Sequence, residues 1–457
     1  MNSLDNNIQS IYFVGIGGIG MSALARFALN KNLAVFGYDK TATTLTATLE
    51  KEGAIISFAD SVESLPQQVK NNPSMLVVYT PAIPQENKLL QWFTSHNYRV
   101  IKRSVFLGML TQDTLCLAVA GTHGKTTTSA ILGHLLAYCD MPVTAFLGGI
   151  TENYKSNFIS KGTAITVVEA DEFDRSFLTL QPDIACITSM DADHLDIYKD
   201  ATALEASFVD FADLVPNKNR LLHKKGLPLQ GQDIALEAPA TYQGQNIRIE
   251  NGAYKFDFIA PQGVLRDMEF CLPGHHNLFN AVTALSMAVL AGAPFDLLAE
   301  ALLKFEGVAR RFSYRIKRDD LILIDDYAHH PTEIDALYQA VSEMYPEDQK
   351  VIVFQPHLFS RTRDFMDQFA ESLARFDQVL LLDIYPARET PIEGINSLLL
   401  LEKIKKIAID VENISLVSKQ SVAAHLKNSS CRVQLVVGAG DIGAEVSQIT
   451  KILEYEN

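Results

Sequence analysis

Short β-branched or aromatic runs alternate with stretches of helical periodicity along most of the chain. In the first hundred residues the pattern predicts strands at Ile11 to Val14, Ala34 to Gly37 and Met75 to Tyr79, and helices over Met21 to Leu29 and Thr44 to Glu52. Strands that alternate with helices are joined by right-handed crossovers and form a parallel sheet. The N-terminal part is therefore predicted to be an α/β domain.

The same alternation starts again twice further along the chain. A second cycle begins at Leu115 to Ala120 and continues with strand candidates at Ala164 to Val168 and Ile184 to Ser189. After Arg311 come four more strand candidates: Leu321 to Ile324, Val351 to Phe354, Val379 to Asp383 and Val433 to Val437. The fold class is predicted to be α/β with three domains, at residues 1–107, 108–312 and 313–457.

The middle domain contains an antiparallel excursion between about residues 235 and 272. Apolar and polar residues alternate there on both sides of Asn251-Gly252, a dipeptide that favours a two-residue hairpin turn. The helical pattern that follows begins near His276 and ends near Ala291.

Composition narrows the classes of function. The chain has 457 residues and a net charge of −15, which argues against unspecific binding to nucleic acid or to an anionic membrane. The five cysteines are far apart and mostly lie in apolar runs, so we expect reduced core thiols. The first ten residues lack a signal-peptide pattern, and no apolar run reaches the roughly 18 residues of a membrane span. We expect a cytoplasmic protein without membrane insertion.

A glycine-rich turn lies between the first predicted strand and helix. Its glycines and its first helical positions are Gly15, Gly17, Gly18, Ile19 and Gly20, and Asp39 ends the next strand. Such a turn lets the backbone approach a diphosphate, and an acid at the second strand's end can bind a ribose hydroxyl. The alternative is a tight turn without a ligand. A second turn of this spacing, Gly438 to Gly443, has no strand with an acid after it, so a packing turn is favoured there.

A phosphate-binding loop is predicted between Leu115 to Ala120 and a helix over Ser129 to Tyr138. It comprises Gly121, Thr122, His123, Gly124, Lys125, Thr126 and Thr127. Backbone N–H groups would hold phosphate oxygens, Lys125 would reach the terminal phosphates, and the Thr126 hydroxyl would bind Mg²⁺. The alternative is a glycine-rich turn that has a lysine by chance.

Acidic and basic clusters follow the later strands. Glu169 to Glu172 and Asp191 to His194 come after two predicted strands of the middle domain. The carboxyl ends of parallel strands share one edge of a sheet, so these clusters are expected to converge with Lys125.

Three further clusters carry candidate ligand-binding groups. Asn277 and Asn280 lie three apart on a helix, where they could read a base edge, although a helix cap explains one of them equally well. Arg311 could neutralise a transferred phosphate, and Asp326 ends a strand, where it could bind a ribose or a metal. The segment from His357 to Arg363 could form a carboxylate receptor by its charge, although an exposed basic loop is the default interpretation for any one of these residues.

The order and spacing of these motifs resemble the Mur ligases of peptidoglycan synthesis over nearly the whole chain. The resemblance implies a Rossmann-like N-terminal domain, a central P-loop ATPase domain and a Rossmann-like C-terminal domain. It implies an ATP-dependent carbon–nitrogen ligase that joins L-alanine to the lactyl carboxylate of UDP-N-acetylmuramate through an acyl phosphate. The implied cofactor is Mg²⁺, no nucleic acid is involved, and the chain would be a monomer or homodimer.

The resemblance also implies a role for each matching residue. The first glycine loop and Asp39 would bind the UDP sugar, and Lys125 the ATP phosphates. Thr126, Glu169 and His194 would surround Mg²⁺. Asn277 and Asn280 would bind adenine. Asp326 would bind the ribose, and Arg311 would contact a phosphate. His329, His357 and Arg361 would surround the carboxylate of alanine. Lys125, Arg311, His194 and Glu169 would form the catalytic set.

Some points stay open at the level of sequence. The family commonly has an arginine where this chain has Leu358, which weakens the expected carboxylate clamp. The base for the amine is His123 or His329. The alternatives are a ligase that joins recycled murein tripeptides to the same sugar, an NAD-dependent oxidoreductase suggested by Gly15 to Gly20 with Asp39, and a nucleotide-operated switch suggested by the Lys125 loop.

Overall fold

The computed structural model describes residues 8–191, 198, 201–250, 252–387, 389–408 and 413–455. The chain forms two compact units. The first contains the described chain up to Arg248, with Lys255–Glu269 and Phe279–Glu306. The second contains Ile249–Tyr254, Phe270–Leu278 and the chain from Gly307 onward. The predicted domain limits stay predictions, and the one after residue 107 falls inside a helix, Arg103–Thr111.

The first unit begins with a five-stranded sheet of order β3-β2-β1-β4-β5, in which every neighbouring pair is parallel. The strands are β1 Ser10–Val14, β2 Ala34–Tyr38, β3 Ile55–Ser57, β4 Leu76–Tyr79 and β5 Arg99–Lys102. The helices are α1 Ile19–Asn30, α2 Thr44–Glu52, α3 Gln67–Lys70, α4 Lys88–Ser95 and α5 Arg103–Thr111. The edge strand β5 leads directly into α5.

A ten-stranded sheet follows, of order β15-β14-β13-β12-β11-β10-β6-β9-β7-β8. Its strands are β6 Leu115–Ala120, β7 Val143–Thr151, β8 Ser156–Ser160, β9 Ile165–Glu169, β10 Ile184–Ile187, β11 Leu221–Lys224, β12 Gln232–Leu236, β13 Tyr242–Glu250, β14 Ala253–Ala260 and β15 Gly263–Phe270. Its helices are α6 Lys125–Tyr138, α7 Ala201–Asp213, α8 His275–Leu290 and α9 Leu298–Leu303. The central strand β6 is parallel to both neighbours, β9 and β10.

The predicted antiparallel excursion corresponds to β13, β14 and β15. Two-residue connections separate these strands, and such connections can join only antiparallel neighbours. Gly252 has a φ of +75°, which suits the turn, while Asn251 lies outside the described residues.

The second unit has a six-stranded sheet of order β16-β17-β21-β18-β19-β20. Its strands are β16 Ser313–Lys317, β17 Ile322–Asp326, β18 Lys350–Phe354, β19 Gln378–Leu381, β20 Asn413–Leu416 and β21 Val433–Val437. Its helices are α10 Pro331–Met344, α11 Phe359–Asp364, α12 Met366–Leu373, α13 Ser397–Ile407, α14 Val422–Lys427 and α15 Ile442–Tyr455. Only the edge pair β16 and β17 is antiparallel.

Short 3₁₀ helices connect some of these elements: Val62–Ser64, Phe173–Thr179, Lys218–Arg220, Phe295–Leu297 and Lys419–Ser421. The segment Phe173–Thr179 contains two residues with left-handed backbone, Asp174 and Arg175. It lies directly after the acidic cluster Glu169 to Glu172.

The apolar runs form the cores because parallel strands covered on both faces must be apolar at successive positions. Strand β21 is buried at every residue, and so is β18. In the first unit, Phe27 of α1 packs on Phe146 and Phe158, with ring centroids 5.6 and 6.4 Å away. Helix α1 is thereby joined to the antiparallel pair β7 and β8.

The cysteine prediction is confirmed for four residues and wrong for one. Cys116, Cys139, Cys186 and Cys431 are buried, and burial raises the pKa of each thiol. Cys271 is exposed because it follows the end of β15. Among the helices of the described chain, none has the length and apolarity needed to cross a bilayer.

Candidate active site

The predicted phosphate loop lies between β6 and α6. Gly121 has a φ of +131° and Gly124, the N-cap of α6, a φ of +83°, so the loop uses conformations that side chains rarely adopt. A Cβ at Gly121 would lie 2.1 Å from the Thr188 hydroxyl oxygen. Both glycines are therefore required by the backbone path and by close packing.

Residues after β10 hold this loop in shape. The Ser189 hydroxyl accepts a hydrogen bond from the His123 N–H at 2.9 Å and lies 2.8 Å from the Thr122 hydroxyl. Thr188 donates to the His123 carbonyl, and His123 Nε2 lies 3.6 Å from the Asp191 carboxylate. The predicted convergence of the segment after β10 with the Lys125 loop is confirmed for these residues.

Lys125 points into the loop and is held by a buried carboxylate. Its Nζ donates to Glu172 Oε1 at 2.8 Å and to the Gly121 carbonyl at 2.6 Å. Glu172 is fully buried. Burial disfavours the charged ammonium, but the carboxylates of Glu172, Asp171 and Glu169 outweigh it and raise the pKa of Lys125. Lys125 therefore stays charged at neutral pH.

Thr126 and Glu169 provide oxygen ligands beside Lys125. The Thr126 hydroxyl donates to Glu169 Oε2 at 3.1 Å, and Ser129 donates to Oε1 at 3.1 Å. Burial raises the pKa of Glu169, against the Gly148 N–H and the Lys125 charge. A hydroxyl and a carboxylate suit a hard cation such as Mg²⁺, which keeps water and substrate phosphate as its other ligands. His194 lies outside the described residues.

The two asparagines predicted to bind adenine both lie on α8. Asn280 Oδ1 is close to Gly124, where a Cβ would be 2.4 Å away. The structure thus brings Asn280 to the phosphate loop. Asn277 is also buried and donates to the Pro273 carbonyl at 2.7 Å. Its amide group therefore binds the backbone just before α8.

The first glycine loop is fixed by the backbone around it. Gly15 and Ile16 donate to the Tyr38 carbonyl at 2.7 and 3.0 Å, and Gly17 donates to Asp39 Oδ2 at 2.8 Å. Asp39, predicted to bind a ribose, therefore also anchors the loop. The first intrahelical bond of α1 runs from Ser22 to the Gly18 carbonyl at 2.8 Å. The N–H groups of Ile19 and Gly20 precede it and point out of the helix N-terminus.

Arg103 is a cation at this loop that sequence reasoning missed. A Cβ on Gly20 would lie 2.8 Å from Arg103 Nη1, so the guanidinium packs directly on the start of α1. Its Nη2 also lies 3.3 Å from Asp171 Oδ2. The only signal in the sequence was the basic pair Lys102-Arg103. The contact joins residues more than 80 positions apart, which local patterns do not reveal.

In the second unit, Asp326 ends β17 and shapes the turn around Arg311. Its carboxylate accepts from the Phe312 N–H at 2.6 Å and from the Ala328 N–H at 2.8 Å. Burial raises the pKa of Asp326 to about 6, against the charge of Arg311. Arg310 and Arg311 both approach the Tyr327 ring, with guanidinium carbons 5.0 and 4.9 Å from its centroid.

The residues predicted to bind alanine are also in the second unit. The ring centroids of His329 and His357 are 5.9 Å apart, and His357 stacks on Tyr385 at 5.7 Å. Tyr385 was not predicted, because it belongs to a loop without a motif. His329 Nδ1 lies 3.2 Å from Glu333 Oε2. Arg361 is buried on α11.

Leu358, at the position where the resemblance led us to expect an arginine, has a φ of +71° and is buried. Its N–H donates to the Tyr385 carbonyl at 2.9 Å. The backbone at this position is thus tied to the loop that carries Tyr385. Arg361 and Arg363, the basic residues of the same segment, are both on α11.

The second glycine turn has the packing role that the sequence favoured. A Cβ at Gly443 would lie 2.2 Å from the Arg310 guanidinium carbon, and one at Gly440 would lie 2.2 Å from Gln355 Oε1. The Gln355 side chain also accepts from the Ile442 N–H at 3.0 Å and so caps α15. Protein side chains fill this turn.

A lysine phosphate loop with hydroxyl and carboxylate ligands beside it, on a parallel sheet, defines an enzyme that uses a nucleoside triphosphate. Comparisons with known proteins narrow this class. Three family descriptions match the chain: Mur ligase family, catalytic domain, at residues 10–114; Mur ligase middle domain at 119–288; and Mur ligase, glutamate ligase domain, at 310–441. The chain belongs to the Mur ligase family, and the resemblance inferred from sequence is confirmed.

Named relatives are similar to this chain over nearly its full length. A UDP-N-acetylmuramate–L-alanine ligase from Christiangramia forsetii is 53% identical over 452 residues, which are 99% of each chain. One from Flavobacterium johnsoniae is 52% identical over 98% of each chain. A solved UDP-N-acetylmuramate–alanine ligase from Thermotoga maritima has a TM-score of 0.82 at 26% identity and covers 98% of this chain and 100% of its own. The predicted α/β fold class is confirmed.

Proposed function

We propose that this chain joins L-alanine to the lactyl carboxylate of UDP-N-acetylmuramate at the expense of ATP, a step of peptidoglycan precursor synthesis. The observation that supports this most strongly is full-length identity of 53% to a ligase of that name, combined with an intact Lys125 loop. The oxidoreductase alternative gives no role to Lys125, Thr126 and Glu169. The alternative of a nucleotide-operated switch leaves the separate diphosphate loop at Gly15 to Gly20 without a role.

The chemistry follows from the poor reactivity of a carboxylate. One lactyl oxygen attacks the γ-phosphorus of ATP, the bond from that phosphorus to ADP breaks, and an acyl phosphate forms. The alanine nitrogen then attacks the acyl carbon, and a tetrahedral intermediate collapses with loss of phosphate. The amine gives up a proton to a base, for which His123 and His329 are the candidates.

Each substrate is assigned to groups on the described chain. Lys125 and Arg311 stabilise charge on phosphate oxygens, and Asn277, Asn280 and Asp326 bind the adenosine. The N–H groups at the start of α1 and the Arg103 guanidinium bind the UDP diphosphate. His329, His357 and Arg361 surround the alanine carboxylate. The chain is expected to act in the cytoplasm, without nucleic acid, as a monomer or homodimer.

Mg²⁺ is the proposed cation, held by Thr126, Glu169 and His194. When bound, it supplies charge neutralisation for the phosphates. Thr126 and Glu169 face each other at 3.1 Å, which places two oxygen donors together beside Lys125.

Transfer of oxygen-18 tests the acyl phosphate directly. UDP-N-acetylmuramate labelled with ¹⁸O in its lactyl carboxylate is incubated with the enzyme, ATP and L-alanine. We expect one ¹⁸O atom in each phosphate released, because the C–O bond of the acyl phosphate breaks. Amide formation with unlabelled phosphate would show that the carboxylate is activated in another way.

A further inference from the structure

A buried asparagine of the ten-stranded sheet reaches the start of the helix that carries the first glycine loop. Asn157, on β8, is fully buried. Its Nδ2 donates to the Ile19 carbonyl at 2.5 Å and to the Ser22 hydroxyl at 3.0 Å. Its Oδ1 accepts from Arg26, whose Nε in turn pairs with Glu52 at 2.9 Å. Every partner of the asparagine is in the first two turns of α1.

The peptide that Asn157 contacts is at the start of α1, directly after the glycine loop proposed to bind the diphosphate. The carbonyl of Ile19 and the N–H of Gly20 belong to a single planar peptide group and point in opposite directions along α1. Gly20 also packs on the guanidinium of Arg103, so a cation lies beside this peptide. The Ser22 hydroxyl donates to the same carbonyl at 2.8 Å and accepts from Asn157 in turn. Asn157 therefore holds this carbonyl both directly and through Ser22, and the direction of the Gly20 N–H follows from that of the carbonyl.

The same bond strengthens the N–H as a donor. A hydrogen bond accepted by a peptide carbonyl polarises the peptide, and chained bonds reinforce one another by roughly 10–30% each. The effect is greater away from water, and both Asn157 and Ser22 are fully buried.

The apolar contacts of α1 do not supply this precision. Met21 and Leu24 near the helix start and Phe27 further along are buried in the core, but apolar contacts are not directional. A buried polar contact selects one arrangement, because displacing it leaves an amide without a partner. Asn157 thereby ties the start of α1 to the sheet whose strand β6 leads into the Lys125 loop.

We propose that Asn157 is a positioning residue for the UDP diphosphate: it holds and polarises the Ile19–Gly20 peptide, whose N–H binds a diphosphate oxygen. The inference rests on the proposed function, since it needs a nucleoside diphosphate at this loop. Asn157 does not touch the substrate and acts through the backbone of α1.

The test compares ligands with and without phosphate. Asn157→Leu keeps the approximate side-chain volume but removes the amide donor. Asn157→Asp also cannot donate to the Ile19 carbonyl, but it keeps an acceptor for Arg26. Affinities for UDP, uridine and ATP are measured by calorimetry in each folded variant. We expect both variants to bind UDP three- to tenfold more weakly, because a misdirected Gly20 N–H would lose up to one hydrogen bond to the diphosphate. Affinities for uridine and ATP should stay within twofold of the original chain.

Glu52→Gln is the matched control. It weakens the Arg26 pair of the same network, and both carboxylate oxygens of Glu52 accept from Arg26 Nε in the second turn of α1. We expect lower thermal stability with unchanged affinity for UDP. If the network had a purely structural role, Glu52→Gln and Asn157→Leu variants of equal thermal stability would show equal losses of UDP affinity.

Three results would overturn the proposal. The first is an equal loss of affinity for UDP and uridine, which indicates general damage to the domain. The second is a loss in Asn157→Asp alone, which indicates charge repulsion. The third is unchanged UDP affinity in Asn157→Leu while the original chain binds UDP and forms product. If the original chain binds no UDP nucleotide, the proposed function fails together with this inference.

Discussion

Lys125 Nζ and Glu172 Oε1 are 2.8 Å apart, and the carboxylate is fully buried. The residue that should meet the ATP phosphates is thus charged and anchored by a side chain of the protein. An anchored cation requires little rearrangement when a phosphate arrives, which is the condition for strong electrostatic stabilisation.

Replacing Lys125 by alanine should abolish ATP-dependent product formation and spare the sugar nucleotide. We expect turnover to fall by at least about a hundredfold, the usual effect of removing one charged contact from a transition state. The affinity for UDP-N-acetylmuramate should stay within twofold, because the first glycine loop follows β1 of a different sheet. ADP release and calorimetry measure the two quantities. A folded variant that no longer binds UDP-N-acetylmuramate would contradict the assignment of the two loops.

Substitution of Glu172 by glutamine should make stability depend more strongly on ATP. Lys125 would keep its charge but lose the carboxylate to which it is hydrogen-bonded, which costs about 1–3 kcal/mol of unfolding free energy. ATP phosphates can replace the lost carboxylate, so saturating ATP should raise Tm more in this variant than in the original chain.

The control for that experiment is Glu152→Gln, which weakens an exposed pair with Lys155 at 2.7 Å. Such surface pairs contribute little to stability. Equal Tm increments with ATP in the original chain and both variants would show that Glu172 and the phosphates do not share Lys125.

The pH dependence of stability should contain a contribution from Asp326. Its pKa rises from 3.8 to about 6 in the folded chain, so the folded state holds the proton more tightly than the unfolded state. The stabilising contribution is complete below about pH 4 and is lost as pH rises through 6. Relative to Asp326→Asn, the original chain should lose unfolding free energy between pH 4 and pH 7.

Urea unfolding at several pH values measures this difference. The comparison uses the change with pH and not the absolute stability, because asparagine cannot accept both backbone N–H groups that Asp326 accepts. A constant difference between the two chains from pH 4 to pH 7 would show that Asp326 has an ordinary pKa.

Arg361 and Arg363 lie on one short helix and form a matched pair for testing the alanine site. Arg361 is buried, whereas Arg363 is half exposed and paired with Asp364 at 2.7 Å. Loss of a charge-assisted bond to a carboxylate corresponds to about ten- to a hundredfold in affinity. Arg361→Met should raise the KM for L-alanine by this factor and leave the KM for ATP unchanged.

Arg363→Met should leave both KM values near those of the original chain. If instead Arg363→Met raises the alanine KM and Arg361→Met does not, the carboxylate is held by the exposed arginine. That result would also change which group compensates for Leu358.

Much of the fold follows from local sequence, as α2, β6 and β21 show. Their observed limits are those that the apolar pattern predicts, because helix periodicity and continuous apolar runs are local properties. The glycine loops were predicted in the same way, because a tight turn between a strand and a helix requires glycines at positions close together in the sequence. The antiparallel strands around Gly252 also followed from a local turn signal.

The parts that sequence did not reveal depend on distant contacts. Arg103 meets Gly20, Asn157 meets Ile19, and His357 stacks on Tyr385. Each pair joins segments whose closeness is decided by how sheets and helices pack. The anchoring of Gly17 by Asp39 was missed for a related reason, because a carboxylate near a glycine loop can bind either backbone or ribose.

Phosphate release with a panel of acceptors tests the central claim most directly. The purified chain is given Mg²⁺, ATP and UDP-N-acetylmuramate with L-alanine, L-serine, glycine or the murein tripeptide in turn. We predict rapid release of one phosphate per amide formed with L-alanine, and little without the sugar nucleotide or the amino acid. A preference for the tripeptide, or a rate of ATP hydrolysis that does not depend on UDP-N-acetylmuramate, would contradict the proposed function.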